Sequence, residues 1–217
     1  MDNVCIVIQG PTEFCTEVSL TYGAYPNVIW STWTTEPEKS KNFIRECGIT
    51  LVESVIPANS GKGNINMQNL STKAGLDKAA EMGFEYVLKL RHDLFFEYRG
   101  PGDRYKWMEI FSQNGNISFL CSHRSERGED YLVDYFNFGP LRKMIDFWSF
   151  YGTEYDMCAE LQMKRWFKKV LPKGEKVNFV LPCFGNSVNA FWKRRDGIML
   201  SEYKKYPEVG YVQPWSG

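Results

Sequence analysis

The apolar positions at the start of the chain fall into short blocks of two kinds. Val4-Cys5-Ile6-Val7-Ile8 is a continuous apolar, β-branched run, and Gln9-Gly10-Pro11-Thr12 ends it. A strand buried on both faces reads this way, with Gly-Pro as its stop. Val28-Ile29-Trp30-Ser31-Thr32-Trp33 predicts a second strand, and residues 49–55 a third. The charged segment 36–47 runs up to Gly48, a plausible helix stop. Met67, Leu70, Ala74, Ala79 and Met82 recur at helical spacing, with Gly83 after them; they predict a helix over about 66–82. Tyr86-Val87-Leu88-Lys89-Leu90 predicts a fourth strand, running into Arg91-His92-Asp93. Alternation of this kind predicts a mostly parallel sheet flanked by helices.

Beyond about residue 95 the pattern is mixed. Residues 105–113 predict a helix, 117–121 a strand, and 132–138 an aromatic, β-prone stretch. Gly139-Pro140 opens a helix to about residue 151, with proline at the favoured first position. Thr153-x-x-Asp156 fits a capping box and predicts a helix through Lys169. Residues 177–181 predict a late strand, and no clear period follows Gly197. No repeat, low-complexity tract or Gly/Ser/Pro-rich linker divides the chain. The expectation is one α/β domain over 1–217, with a first half of about 1–95 and a mixed second half of about 96–217.

Composition narrows the function classes. A content of 43% apolar and 16% aromatic residues permits a large core and excludes disorder. The 26 basic and 26 acidic residues sum to zero net charge, which argues against a nucleic-acid or anionic-membrane binder. No apolar run approaches the ~20 residues of a membrane helix. Met1-Asp2-Asn3 lacks the basic start of a signal peptide, so the chain reads as cytoplasmic. The six cysteines are scattered, with no C-x-x-C pair, and there are two histidines; free buried thiols are expected rather than a zinc site.

In an open parallel sheet, ligands bind outside the carboxyl ends of the strands. That rule selects Gln9-Gly10-Pro11-Thr12, then Thr32-Trp33, then Arg91-His92-Asp93, and it adds Asn66 and Gln68 at the start of the long helix. Gly10-Pro11 is either a plain strand-ending turn or a place where backbone approaches a phosphate. It is neither G-x-G-x-x-G nor a P-loop. Trp33 is either a core tryptophan or a stacking surface for a base. Asn66 and Gln68 either cap the helix or offer amides near its anion-favouring end. The sharpest signal is Lys89-x-Arg91-x-Asp93, which strand alternation places on one face. Two cations beside a carboxylate suit a diphosphate with a divalent metal; a strand-end ion pair is the plainer alternative.

Four motifs taken in order carry a family resemblance: Ile8-Gln9-Gly10-Pro11, Ser31-Thr32-Trp33, Asn66-x-Gln68-x-x-Ser71-x-x-x-Gly75-Leu76, and Lys89-x-Arg91-x-Asp93. Together they resemble the WavE-type lipopolysaccharide-synthesis family over roughly residues 4–170. The resemblance implies a GT-A-like fold, a nucleotide-sugar donor, and sugar transfer onto a glycan, a lipid-linked glycan or another surface polysaccharide. It implies a divalent metal, Mn or Mg, held by Asp93. GT-A enzymes usually present Asp-x-Asp, however, and the matching positions here read Arg91-His92-Asp93, with a single carboxylate. Arg91 is the group able to take over part of the metal's charge.

Inverting transfer also needs a base for the acceptor hydroxyl. Asp134, inside the aromatic stretch, and Glu160, near the start of the late helix, are the candidates. The resemblance puts an acid at the Glu160 place and so sets it first. Two other readings stay open: a non-catalytic nucleotide- or glycan-binding module, and a sugar nucleotidyltransferase. The latter expects a glycine-rich basic signature after the first strand, which Gln9-Gly10-Pro11-Thr12 lacks.

Overall fold

The fold was obtained as a computed structural model, and it describes residues 3–98, 115–120, 134, 136–151, 159–170, 177–180, 188–193, 199–200 and 212–214. Along the chain the first half runs β1 (Val4–Gln9), α1 (Cys15–Tyr22), β2 (Val28–Trp33), α2 (Glu38–Glu46), β3 (Thr50–Ser54), α3 (Ile65–Glu81), β4 (Tyr86–Arg91) and β5 (Leu94–Tyr98). The second half runs β6 (Ile117–Leu120), β7 (Phe136–Pro140), α4 (Leu141–Phe147), α5 (Ala159–Val170), β8 (Val177–Val180), β9 (Val188–Lys193), β10 (Met199–Leu200) and β11 (Val212–Pro214).

The large sheet has the order β11-β8-β6-β7-β4-β1-β2-β3. The strands β3, β2, β1 and β4 are mutually parallel. β7 runs against both β4 and β6, so β6 and its parallel neighbour β8 share the common direction. β11 closes the far edge antiparallel to β8. A small antiparallel sheet, β10-β9-β5, stands apart from it. The mostly parallel α/β expectation is met. The chain winds outward from β1 to β2 and β3, then returns past β1 to form β4. The winding therefore reverses between β1 and β4, and such a reversal opens a crevice at the carboxyl ends of the two strands.

The strands β1, β2 and β4 are covered on both faces, and their side chains sort by alternation. Ile6, Ile8, Trp30, Leu88 and Leu90 pack with Val18 and Tyr22 of α1 and Ile44 of α2. Cys5, Val7, Ile29 and Val87 pack on the other face with Ile65, Leu76 and Ala79 of α3 and Leu141 and Met144 of α4. Continuous apolar runs are the sequence form of such two-faced burial. The long α3 lies close on the sheet because of Gly75. A Cβ there would come within 2.6 Å of Val7 Cγ1 and 3.2 Å of Ser31 Cβ.

Some elements depart from expectation. Helix α1 was not predicted, and neither were β5, β9, β10 or β11. Pro140 still pairs with Tyr86 as strand (φ −57°, ψ 129°) and serves as the N-cap, so α4 starts one residue later than predicted and ends at Phe147. The predicted helix 105–113 and the capping residues Thr153 and Asp156 lie outside the described residues.

Helix propensity alone favours Gly75→Ala by about 1 kcal/mol. The contact with Val7 reverses that sign, because Val7 is fully buried and cannot swing away. Overpacking of this kind costs about 1–3 kcal/mol, so urea denaturation should show Gly75→Ala as a net loss of stability.

Candidate functional site

Register assembles the site. In the last row of the parallel strands, Ser31 pairs with Gln9 and Gln9 with Arg91. Two rows back, Val7 pairs with Lys89 and Lys89 with Asn137. Alternation points Gln9, Ser31, Lys89 and Arg91 toward the α3 face, beside Val7 and Ile29. A row that is otherwise apolar thus turns polar where the winding reverses. The Oε1 of Gln9, the Oγ of Ser31 and, on α3, the Oγ1 of Thr72 are buried there with no protein partner.

β7 adds a residue from a distant part of the sequence. Because it runs antiparallel, its amino end lies at the carboxyl end of β4, and Leu90 pairs with Phe136. Asp134, two residues ahead, reaches the end of β4. There Arg91 joins two carboxylates. Its Nε donates to Asp93 Oδ1 at 2.9 Å and its Nη2 to Asp93 Oδ2 at 2.6 Å, a two-point fork. Its Nη1 meets Asp134 Oδ2 at 3.4 Å. Burial works against the Arg91 charge, but Asp134 and Asp93 outweigh it and hold the guanidinium above its ordinary range.

Lys89 shares this face as predicted but lies wholly inside, 0% exposed. Its ammonium donates to the backbone oxygen of Asp134 and sits 4.6 Å from the centre of the Trp148 ring. Burial pushes it down to about 7, against the opposing pull of Asp134. Placed so, Lys89 braces the start of β7 instead of presenting its charge to a phosphate.

The loop after β1 is held from three sides. Gly10 N–H donates to Ser31 O at 3.1 Å, and Trp30 Nε1 donates to Gly10 O at 3.1 Å. Thr12 donates both its amide and its hydroxyl to Glu36 Oε2, at 2.8 and 2.7 Å. His92 N–H donates to Gln9 O at 3.0 Å, and the His92 ring stacks on Phe14 with centroids 5.7 Å apart. Gly10 has φ +132°, and a Cβ on it would overlap the His92 ring, so glycine is required twice over. Burial holds His92 below its ordinary range, toward the neutral form. Pro11 is half-buried in this loop.

The remaining sequence candidates are placed differently. Thr32 is fully buried on the α1/α2 face, and Trp33 is 2% exposed, so its ring belongs to the interior rather than to an open stacking surface. Asn66 is buried and donates to Asn59 O at 3.2 Å, and Gln68 Nε2 donates to Gly63 O at 3.3 Å; both amides tie the turn before α3 to its first residues. Glu160 stands in the first turn of α5, a helix that packs on α4 and on that same turn. Glu36, Phe14, Asn137 and Trp148 were not singled out in the sequence. Nothing local marks them, because each matters through a partner far away in the chain.

A divalent ion at this edge would take Asp93 as a ligand. Both oxygens of Asp93 already face the guanidinium, and Asp134 touches the same group. Among the described residues, no group of three or more His, Cys, Asp or Glu side chains gathers to hold a metal. The two carboxylates as arranged do not fit a metal ion, since the cation between them is Arg91.

No family model matches the sequence, and no curated protein matches it. Among solved structures, the chain is similar to a Bacillus anthracis protein described as a glucose-1-phosphate thymidylyltransferase in complex with sucrose. The TM-score is 0.51 at 10% identity, over 89% of this chain and 92% of that one. It is also similar to a glycosyltransferase involved in glycosylation of the major capsid of PBCV-1, with TM-score 0.46 and 12% identity over 82% and 81% of the two chains. A third is core-mannan synthase A of Aspergillus fumigatus in its Mn/GDP form, with TM-score 0.42 and 10% identity over 77% and 64%. The fold is therefore the GT-A-like α/β fold that the thymidylyltransferase has.

The buried lysine sets a pH dependence. Its folded value of about 7 lies below the ordinary 10.5, so between these pH values the unfolded chain binds more protons. Wild-type stability should rise relative to Lys89→Met as pH increases through that window and level off below it. Paired urea melts at pH 6, 8 and 9.5 check the slope; a constant difference between the two proteins would contradict it.

Proposed function

We propose that this chain is a nucleotide-sugar-dependent glycosyltransferase of the WavE type, moving a sugar to a glycan, lipopolysaccharide or surface-polysaccharide acceptor. The observation that carries the reading is the Arg91 group. A cation with a two-point fork sits at the open end of the crevice between β1 and β4, 30% exposed at its side chain. Guanidinium forks suit phosphate oxygens as they suit carboxylates. On this reading Gln9, Gly10 and Pro11 line the donor side, with Asn66 and Gln68 at the α3 end. The first ~95 residues hold the donor, and the second half holds the acceptor. Glu160 is the base. Asp134 is the weaker choice, because its carboxylate already faces Arg91 at 3.4 Å and lies 6% exposed.

Sugar nucleotidyl transfer is the second reading, favoured by the fold shared with the thymidylyltransferase. The loop after β1 weighs against it. Thr12 has committed its amide and hydroxyl to Glu36, and the loop carries no basic residue.

A thermal-shift screen of UDP, GDP, CMP and TDP tests the donor. A nucleotide that binds the folded state at a hundredfold excess over Kd stabilises it by ~2.7 kcal/mol. One of the four should raise Tm clearly, and its sugar conjugate should be slowly hydrolysed. A flat response to all four would end the reading.

Removing a general base typically lowers rate by about 10²–10⁴-fold. Glu160→Gln should lower kcat by that order while nucleotide affinity stays unchanged. Loss of nucleotide binding in this variant, or an unaltered kcat, would move the base elsewhere.

A further inference from the structure

We propose that Arg91 stands where a divalent ion would be expected, and that a nucleoside-diphosphate donor binds its guanidinium directly, displacing Asp93 from the fork without need of a metal. This rests on the donor reading above. It goes beyond that reading by assigning the diphosphate's counter-charge to a side chain.

The geometry supports it in three ways. First, one guanidinium bridges two carboxylates from separate elements, Asp93 after β4 and Asp134 before β7, as a metal ion bridges its ligands. Second, a carboxylate and a phosphate offer a guanidinium the same pair of oxygens, so Asp93 occupies the fork in the manner of a phosphate group. Its side chain is 16% exposed and Arg91 is 30% exposed, so the exchange takes place at the open edge. Third, a divalent ion on Asp93 would sit against the guanidinium, and like charges at that distance repel. Asp134, 6% exposed and bonded through its backbone oxygen to Lys89, stays behind and keeps Arg91 aimed along the end of β4.

The consequence separates two assignments of Asp93. If Asp93 is a metal ligand, its loss weakens donor binding. If Asp93 is the group the diphosphate displaces, its loss removes a competitor and an opposing charge, and binding holds or tightens.

The test measures UDP, GDP, CDP and TDP affinity by calorimetry, in EDTA and in MnCl₂, for wild type, Asp93→Asn, Arg91→Met and Arg91→Asp. For the nucleotide that binds, wild-type Kd should agree within about threefold in the two conditions. Asp93→Asn should bind as tightly or more tightly. Arg91→Met should lose roughly tenfold or more in both conditions, the loss expected for a hydrogen bond to a charged group. Arg91→Asp restores two carboxylates at the Asp-x-Asp spacing and should bind only with manganese. Electron paramagnetic resonance of free Mn²⁺ should show uptake by Arg91→Asp with nucleotide and none by wild type. Wild-type binding that needs manganese, or its abolition in Asp93→Asn, would overturn the inference while leaving the donor reading in place. No binding by any diphosphate in either condition would overturn the inference, and the donor reading falls with it only if CMP also fails to bind. Should the Arg91 variants fail to fold, the wild-type and Asp93→Asn comparisons decide.

Discussion

The parallel pairing of β1 with β4 is the constraint from which the candidate site follows. Those two strands are neighbours in space, yet β2, β3 and α3 lie between them in sequence. The winding reverses between them, which opens a gap at their carboxyl ends beside the place where His92 stacks on Phe14 and donates to Gln9 O. The register then sets Gln9 beside Arg91 at that gap, and the apolar alternation behind them fixes which way both side chains point. The site is polar because the strands end there, and it stays in place because everything behind it is fully buried.

That rigidity has a cost at Lys89. A fully buried ammonium is unfavourable, and its downward shift expresses the penalty. What the position gains is an anchor for the start of β7, through the backbone oxygen of Asp134. Through that bond Lys89 holds Asp134 where its carboxylate meets Arg91. The same logic covers His92, whose stacking on Phe14 and close approach to Gly10 hold the first loop against the end of β4.

The strands β1, β2 and β4 were legible because they are buried on both faces and therefore read as largely apolar runs. Helix α1 was not legible. Its sequence has weak helical periodicity, and it is held by the packing of Val18 and Tyr22 on the sheet. β5 and β9 find each other across some ninety residues, a pairing that no local pattern encodes. The same limit applies at the site. Alternation correctly put Lys89 and Arg91 on one face, but it carries no information about depth, so the interior place of Lys89 went unread. Asp134 stood out as an acid among aromatics, whereas its meeting with Arg91 depends on the β4–β7 register. Trp33 was ambiguous for the opposite reason: a tryptophan at a strand end looks the same whether it faces a ligand or the core.

β7 runs against its neighbours, and this has an evolutionary meaning. A parallel strand can offer the edge only the residues that follow it, and those are bound up with the crossover leading to the next strand. An antiparallel strand offers the residues that precede it, from a segment that takes no part in the β1–β4 crossovers. The charge at the crevice thus has two separately heritable sources. A substitution at Asp134 can retune the edge, making it less acidic, while the pairing of β1 with β4 stays as it was.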